Sequence, residues 1–255
     1  MTRRVVARVS GVVDAIFAHP RLASIYDAFD GDRDDLVLYV NPVRELEARR
    51  VLDVGCGTGS LPILLARRGL EVLGIDPAEA SLAVARGKDG ASKVTWIQSH
   101  ATSLPPLQAD LAVMTGNVAR VFLTDQEWIA TLRGIRKALA ANGHLAFETR
   151  RPERRAWENW AVETGPVIRE VPGVGEVEQR REVTEVALPY VTFRHSYRFT
   201  RDHIVLNSTS TLRFRSREEI EESLADSGFM VLEVRDAPDR PRREYIFVAE
   251  RSPEP

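Results

Sequence analysis

Residues 51–59 read Val-Leu-Asp-Val-Gly-Cys-Gly-Thr-Gly, and no other stretch restricts the fold of this chain as much. Residues 51–54 have the composition of a short buried strand. Gly55, Gly57 and Gly59 then break it, and Leu61, Leu64 and Leu65 follow at helical spacing. The glycines therefore belong to a strand-to-helix turn. Glycine there lets the backbone take positive φ and lets a ligand approach where a side chain would block it. The free N–H groups at the start of the following helix form a polar concavity suited to carboxylates or ribose hydroxyls.

The run Asp53-Val54-Gly55-Cys56-Gly57-Thr58-Gly59 resembles the first motif of the class I S-adenosylmethionine-dependent methyltransferases. A nicotinamide-binding turn wants a glycine at the sixth place, which counted from Gly55 is Ser60. The G-x-G-x-G spacing with Asp53 two residues earlier fits the methyltransferase pattern better. The resemblance covers most of residues 50–150 and 213–251. It implies an α/β architecture: a Rossmann-like, seven-stranded, mostly parallel sheet flanked by helices. It also implies S-adenosyl-L-methionine as cofactor and S-adenosyl-L-homocysteine as product. Two rival readings stay open, an NAD-dependent oxidoreductase and a non-catalytic protein that keeps the fold.

Length and composition fit such a chain. The 255 residues suffice for a sizeable core, and the net charge of −2 sets up no field that would attract nucleic acid or an anionic membrane. Cys56 is the single cysteine, which excludes an intrachain disulfide and suits a reducing cytoplasm. Its place inside the turn calls for a small residue and argues against a nucleophile. Apolar runs are too short to span a membrane. The expected partner is a small-molecule substrate, with the chain acting as monomer or homodimer.

In chain order, residues 10–18 predict a short amphipathic helix with Val12, Val13, Ile16 and Phe17 inward. Pro20 interrupts it, and residues 22–29 predict a second helix. In the family a segment before the first motif often folds over the cofactor, so residues 1–40 are expected there. Tyr26 and Tyr39 would contact the cofactor or simply pack helices, and Arg33 would pair with its carboxylate.

A helix over 60–68 and a strand over 71–75 lead to Asp76, an acid at a strand end where Rossmann-type folds bind ribose hydroxyls. Asp76-Pro77-Ala78-Glu79 also fits a helix start, with Asp76 as N-cap, Pro77 at the first position and Glu79 as capping-box partner, and both roles can coexist. A third strand over 94–98 ends before Ser99-His100-Ala101. Family members often carry an acid that contacts adenine at this place, and this chain departs from the pattern with His100. A neutral imidazole can still accept one hydrogen bond.

A fourth strand over 109–115 precedes Gly116-Asn117-Val118, at the strand ends where ligands bind in open sheets. Met114-Thr115-Gly116-Asn117 is not the motif of nucleobase methyltransferases. Asn117 either orients a substrate or caps a turn. The residues placed at the cofactor by the resemblance are Tyr26, Tyr39, Asp53, Gly55, Cys56, Gly57, Gly59, Asp76, Pro77, His100, Ala101, Thr115, Gly116 and Val118.

A helix over 125–140 and a strand over 144–149 complete the alternating pattern, and the rhythm then changes. Residues 151–160 predict a helix carrying Trp157 and Trp160. Runs over 174–187, 190–200 and 203–214 predict an antiparallel insert, with residues 151–212 as lid or substrate wall over the strand C-terminal ends. Residues 1–150 and 213–255 make the core. A tight turn at Arg201-Asp202 places His195 opposite Ser208 and Phe193 opposite Ser210. His195 is either a general base or a packed histidine bonded to Ser208, and Glu148 and Arg150 are rival substrate contacts. No metal-ligand spacing is present, and none is needed for transfer from a sulfonium, which already carries an electrophilic methyl group.

Overall fold

The computed structural model describes residues 13–31, 36–162 and 165–253. Three short helices come first: α1 (Ala15–Ala18), α2 (Pro20–Ala23) and α3 (Tyr26–Asp30). The helix predicted over 22–29 is thus split in two, and residues 10–12 and Arg33 lie outside the described residues. The chain continues through α4 (Val37–Glu45), β1 (Arg50–Val54), α5 (Ser60–Ala66), β2 (Glu71–Asp76), α6 (Glu79–Arg86) and β3 (Val94–Gln98). Next come β4 (Ala109–Met114), α7 (Val118–Val121), α8 (Asp125–Ala138), β5 (Leu139–Arg150) and α9 (Ala156–Val162). A second group of strands, β6 (Val167–Val171), β7 (Gly175–Ala187), β8 (Tyr190–Phe199) and β9 (Val205–Arg213), precedes α10 (Arg217–Asp226), β10 (Phe229–Asp236) and β11 (Glu244–Arg251).

Seven strands form one sheet in the order β10-β11-β5-β4-β1-β2-β3. It is parallel except for β11, which runs antiparallel to both β5 and β10. Alternation along each strand feeds two cores. Leu52, Val54, Leu73, Ile75, Met114, Leu145 and Phe147 pack with Trp128, Leu132 and Ile135 of α8. Val51, Val72, Val113 and Ala146 face the other way, onto α4 and α5. Each of the Val, Leu, Ile, Phe and Met side chains among them contributes roughly 1.5–3 kcal/mol when fully buried. Because β2 and β4 lie on opposite sides of β1, the chain reverses its direction of growth there. The C-terminal ends of β1 and β4 consequently border a crevice.

α8 starts with a complete capping box, Thr124 and Glu127 each bonding the other's backbone N–H. At Gly134 a Cβ would collide with the Ala101 carbonyl, so this glycine lets α8 press the loop after β3 into place. An equivalent box, Ser216 with Glu219, starts α10.

The second sheet is antiparallel, in the order β6-β7-β8-β9. Its register pairs His195 with Ser208 and Phe193 with Ser210, as the predicted turn requires. β6 lay outside the sequence-based strands, since every side chain of Val167–Val171 except Val171 is exposed and no apolar face marks it. One end of the β7–β9 face, with Val177, Tyr197 and Phe199, packs on Ile16, Leu22 and Ile25 of the N-terminal segment. The other end, with Val191 and Leu212, packs on Trp157 and Phe214. Tyr190 and Arg213 tie this sheet to the loop after α7 through hydrogen bonds to the Leu123 carbonyl at 3.1 and 3.2 Å.

Candidate functional site at the glycine turn and the strand ends

All three glycines of the turn have positive φ: +73° at Gly55, +52° at Gly57 and +81° at Gly59. They do different jobs. A Cβ on Gly59 would collide with the Trp96 ring, and one on Gly55 would come within 2.6 Å of Val118 Cγ2. Gly57 has nothing within 4 Å of its Cβ position, so its backbone borders open space. The amides of Gly55 and Cys56 both donate to the Ile75 carbonyl, which lashes the turn to β2.

Asp53 is buried inside β1, in register with Gly74 and Val113. The Cys56 thiol is also buried. Burial first, then the charges of Asp53 and Asp76, push its pKa well above the usual thiol value, so it stays protonated and unreactive at neutral pH.

Asp76 ends β2 with its carboxylate folded back on the turn. Oδ2 accepts the Gly57 amide at 2.9 Å, and Oδ1 accepts the Ala78 amide at 2.8 Å. The helix begins only at Glu79, so Asp76 holds the approach to α6 rather than forming the predicted capping box. Burial raises the Asp76 pKa; the two amides and the His100 charge act in the opposite direction. Each carboxylate oxygen keeps a lone pair for a further donor. Pro77 follows, half-buried, and its carbonyl accepts from the side-chain Nε2 of Gln98 at 3.3 Å.

His100 is exposed and close enough to Asp76 for its charge to act there. Ala101 is buried and opens a short 3₁₀ turn against α8. Across the crevice, Thr115 is buried and Gly116 and Asn117 have φ of +69° and +77°. The backbone N–H of Asn117 donates to Oε1 of buried Glu148 at 3.0 Å, and Val118 lies over Gly55. Of these residues Val118 is the one in direct contact with the glycine turn.

The two tyrosines separate. Tyr26 is half-buried on α3, 5.5 Å from the Phe17 ring, in the cluster that joins the N-terminal segment to the second sheet. Tyr39 is buried on α4 and lines a cavity of about 10 Å³ with Glu148, Arg240 and Glu244. It therefore neighbours the ends of β5 and β11. Sequence reasoning missed Asp27: it accepts from the Thr58 hydroxyl at 2.6 Å and pairs with Lys88 at 2.5 Å, clamping α3 onto the turn.

His195 stands on the inner face of β8 between Phe193 and Tyr197, with ring centroids 5.3 and 6.0 Å away. Its predicted partner, the Ser208 hydroxyl, accepts the Ile16 amide at 2.9 Å. Burial, and then the charge of Arg181, lower the His195 pKa to about 4, so the imidazole is neutral at physiological pH.

Next to it is a cluster of arginines. Arg120 of α7 is 1% exposed and sits over the Phe214 ring at 5.1 Å. Arg150 and Arg181 lie over Trp160 at 5.4 and 5.9 Å. Among the described residues the Nε, Nη1 and Nη2 atoms of Arg120 have no hydrogen-bond partner. Burial above all, and then the charge of Arg150, drive the Arg120 pKa well below the usual guanidinium value. An uncompensated buried charge costs several kcal/mol. The only sequence hint of Arg120 is a charge inside the apolar run Val118-Ala119-Arg120-Val121.

A broader groove of about 560 Å³, lined by Pro152, Trp157, Leu188, Pro189 and Phe214, contains none of the glycine-turn residues. Among the described residues no cluster of metal-ligating side chains occurs, and no helix is long and apolar enough to cross a membrane.

The family described as "Methyltransferase domain" matches residues 51–143. A putative methyltransferase of Geobacillus sp. (strain WCH70) is 36% identical over 104 residues, 40% of this chain and 42% of that protein. The chain thus spans less than half the length of that curated relative. Two solved structures align far more widely. The sugar N-methyltransferase KedS8 from Streptoalloteichus sp. ATCC 53650 has a TM-score of 0.76 at 19% identity, covering 98% of this chain and 100% of KedS8. SAM-bound CalS10, an amino pentose methyltransferase from Micromonospora echinaspora, has a TM-score of 0.71 at 22% identity, covering 89% and 97%. Residues 51–143, from β1 to just past α8, thus match a methyltransferase-domain family, and the chain has the fold of the class I S-adenosylmethionine-dependent methyltransferases.

Proposed function

We propose that this chain transfers a methyl group from S-adenosylmethionine to a small molecule. The observation that carries the reading is the Asp76–Gly57 hydrogen bond beside the open backbone of Gly57, at the point where the sheet reverses its growth. A ribose laid across this turn meets a carboxylate with spare lone pairs, and the methionine portion of the cofactor meets a backbone without a blocking Cβ. His100 and Ala101 flank the adenine. Thr115 to Val118 border the methyl group.

The sulfonium supplies an electrophilic methyl group, so the residues need only orient the acceptor and exclude water. The N-terminal segment, clamped by Asp27, and the insert 151–212 close the crevice as a lid. An imidazole titrating at about 4 is a weak base, and His195 with Asn117 therefore orients an N–H or O–H of the acceptor. The names of KedS8 and CalS10 make an amine the first acceptor type to assay. The reading includes a cytoplasmic monomer or homodimer that does not act on nucleic acid, in keeping with the lone buried cysteine and the net charge of −2.

Thermal-shift titration with S-adenosylhomocysteine and with NAD tests it, because a ligand that binds only the folded chain raises its Tm. Stabilisation by S-adenosylhomocysteine alone is expected; stabilisation by NAD alone overturns the reading in favour of an oxidoreductase.

A further inference from the structure

We propose that the methyl acceptor bears an anionic group, a carboxylate or a phosphate, received between Arg120 and Arg150 beside the Trp160–Phe214 pair. The proposal rests on the methyl-transfer reading and adds the acceptor's charge. The two rings lie 6.2 Å apart, with Arg120 over one and Arg150 over the other, so one aromatic floor carries both guanidinia.

The carboxylates nearby are already engaged. Glu244 takes Arg150 Nε at 3.3 Å and Arg240 Nη1 at 3.1 Å, while Glu148 takes the Asn117 amide. Arg240 also pairs with Asp239 Oδ2 at 3.5 Å, so Arg150 and Arg240 both have carboxylate partners. Arg120, by contrast, has three buried nitrogens without hydrogen-bond partners among the described residues. Arginine cannot shed its proton readily, so burial does not remove this charge by neutralising it. Its planar fork matches the paired oxygens of a carboxylate or phosphate.

The position also suits an acceptor. Arg120 follows Asn117 by one helical turn at the end of β4, and Arg150 ends the adjacent β5. Arg150 retains 16% side-chain exposure, so the pair reaches solvent on its side. A purely structural Arg120, packed on Phe214 for its own sake, would leave the same rings but no preference for oxyanions.

The test uses the full chain. S-adenosylhomocysteine binding is measured first; if it is absent, the methyl-transfer reading fails. The saturated complex is then titrated with inorganic phosphate, pyrophosphate or succinate, with chloride at matched ionic strength as control. At ten times its dissociation constant, at least one oxyanion is expected to raise Tm by about 4 °C over chloride. Phosphate or pyrophosphate as the effective ion identifies a phosphorylated acceptor, and succinate a carboxylated one. Arg120→Met and Arg150→Gln should each weaken that oxyanion at least tenfold while S-adenosylhomocysteine affinity holds within twofold. Should Arg120→Met not fold, Arg150→Gln, at a partly exposed site, decides alone. A complex that binds S-adenosylhomocysteine yet ignores every oxyanion overturns the proposal, as do variants that respond like the parent.

Discussion

Asp76 and Gly57 are 19 residues apart in sequence, yet the Oδ2 of the first accepts the amide of the second at 2.9 Å. This bond joins the end of β2 to the middle of the glycine turn and gives both the shape that a nucleoside would meet. Asp76→Ala removes the acceptor of two backbone amides, Gly57 and Ala78, in a buried place. A stability loss of about 1–3 kcal/mol is expected, together with a 10- to 100-fold rise in the Kd for S-adenosylhomocysteine. Asp76→Asn keeps one acceptor oxygen and should fall between Ala and the parent. Calorimetry on the three proteins checks the order, and equal affinities would remove the ribose role from Asp76.

Two glycines of the same turn should respond in opposite ways to alanine. At Gly59 a methyl group meets the Trp96 ring and Ala85, so Gly59→Ala should lower stability by about 1–3 kcal/mol. At Gly57 the added methyl meets no protein atom, and only the positive φ is penalised, by about 1 kcal/mol. Gly57→Ala should therefore fold nearly as well as the parent but bind S-adenosylhomocysteine at least tenfold more weakly. Denaturant melts beside calorimetry separate the two effects.

The paired prediction shows what was legible in sequence. The glycine turn, the strand ending at Asp76 and the 195–208 register follow from local signals: glycine spacing, period-2 alternation and turn chemistry. The mostly parallel seven-stranded sheet is implied instead by the family resemblance. β6 escaped because an exposed strand without an apolar face has no periodic mark. Asp27 escaped because its partner Thr58 is 31 residues away. The arginine cluster is assembled from α7, the end of β5 and the second sheet, so no window of the sequence contains it. The Ser208 bond went to Ile16 because Ser208 faces α1 as well as His195, a relation that only the tertiary packing sets.

His195 makes stability depend on pH. The imidazole titrates near 6.5 when unfolded and at about 4 when folded, so between these values the unfolded chain binds the extra proton. Stability is then full above pH 6.5 and falls as the pH drops toward 4. This group accounts for at most about 3 kcal/mol of the loss. His195→Gln removes that titration. Its denaturant midpoint should decline less than the parent's between pH 6.5 and 4.5, and an identical decline would mean that the folded imidazole is not depressed.

The last prediction concerns how the N-terminal helices bear on the turn. Asp27 of α3 receives the Thr58 hydroxyl at 2.6 Å and the Lys88 ammonium at 2.5 Å, and Ser81 of α6 donates to the Phe17 carbonyl at 3.0 Å. The Lys88 pair is partly exposed and is worth about 1 kcal/mol or less. Asp27→Ala should therefore cost little global stability. It does remove the clamp between α3 and the glycine turn, and a segment held by few bonds opens locally before the core does. Amide exchange in residues 15–30 should quicken in Asp27→Ala while exchange in β1 and β4 stays unchanged. If these helices close over the cofactor, the S-adenosylhomocysteine dissociation rate should rise by about fivefold in the same variant, with its association rate nearly constant. Faster exchange with an unaltered dissociation rate would keep the clamp but deny the segment its role as a cover.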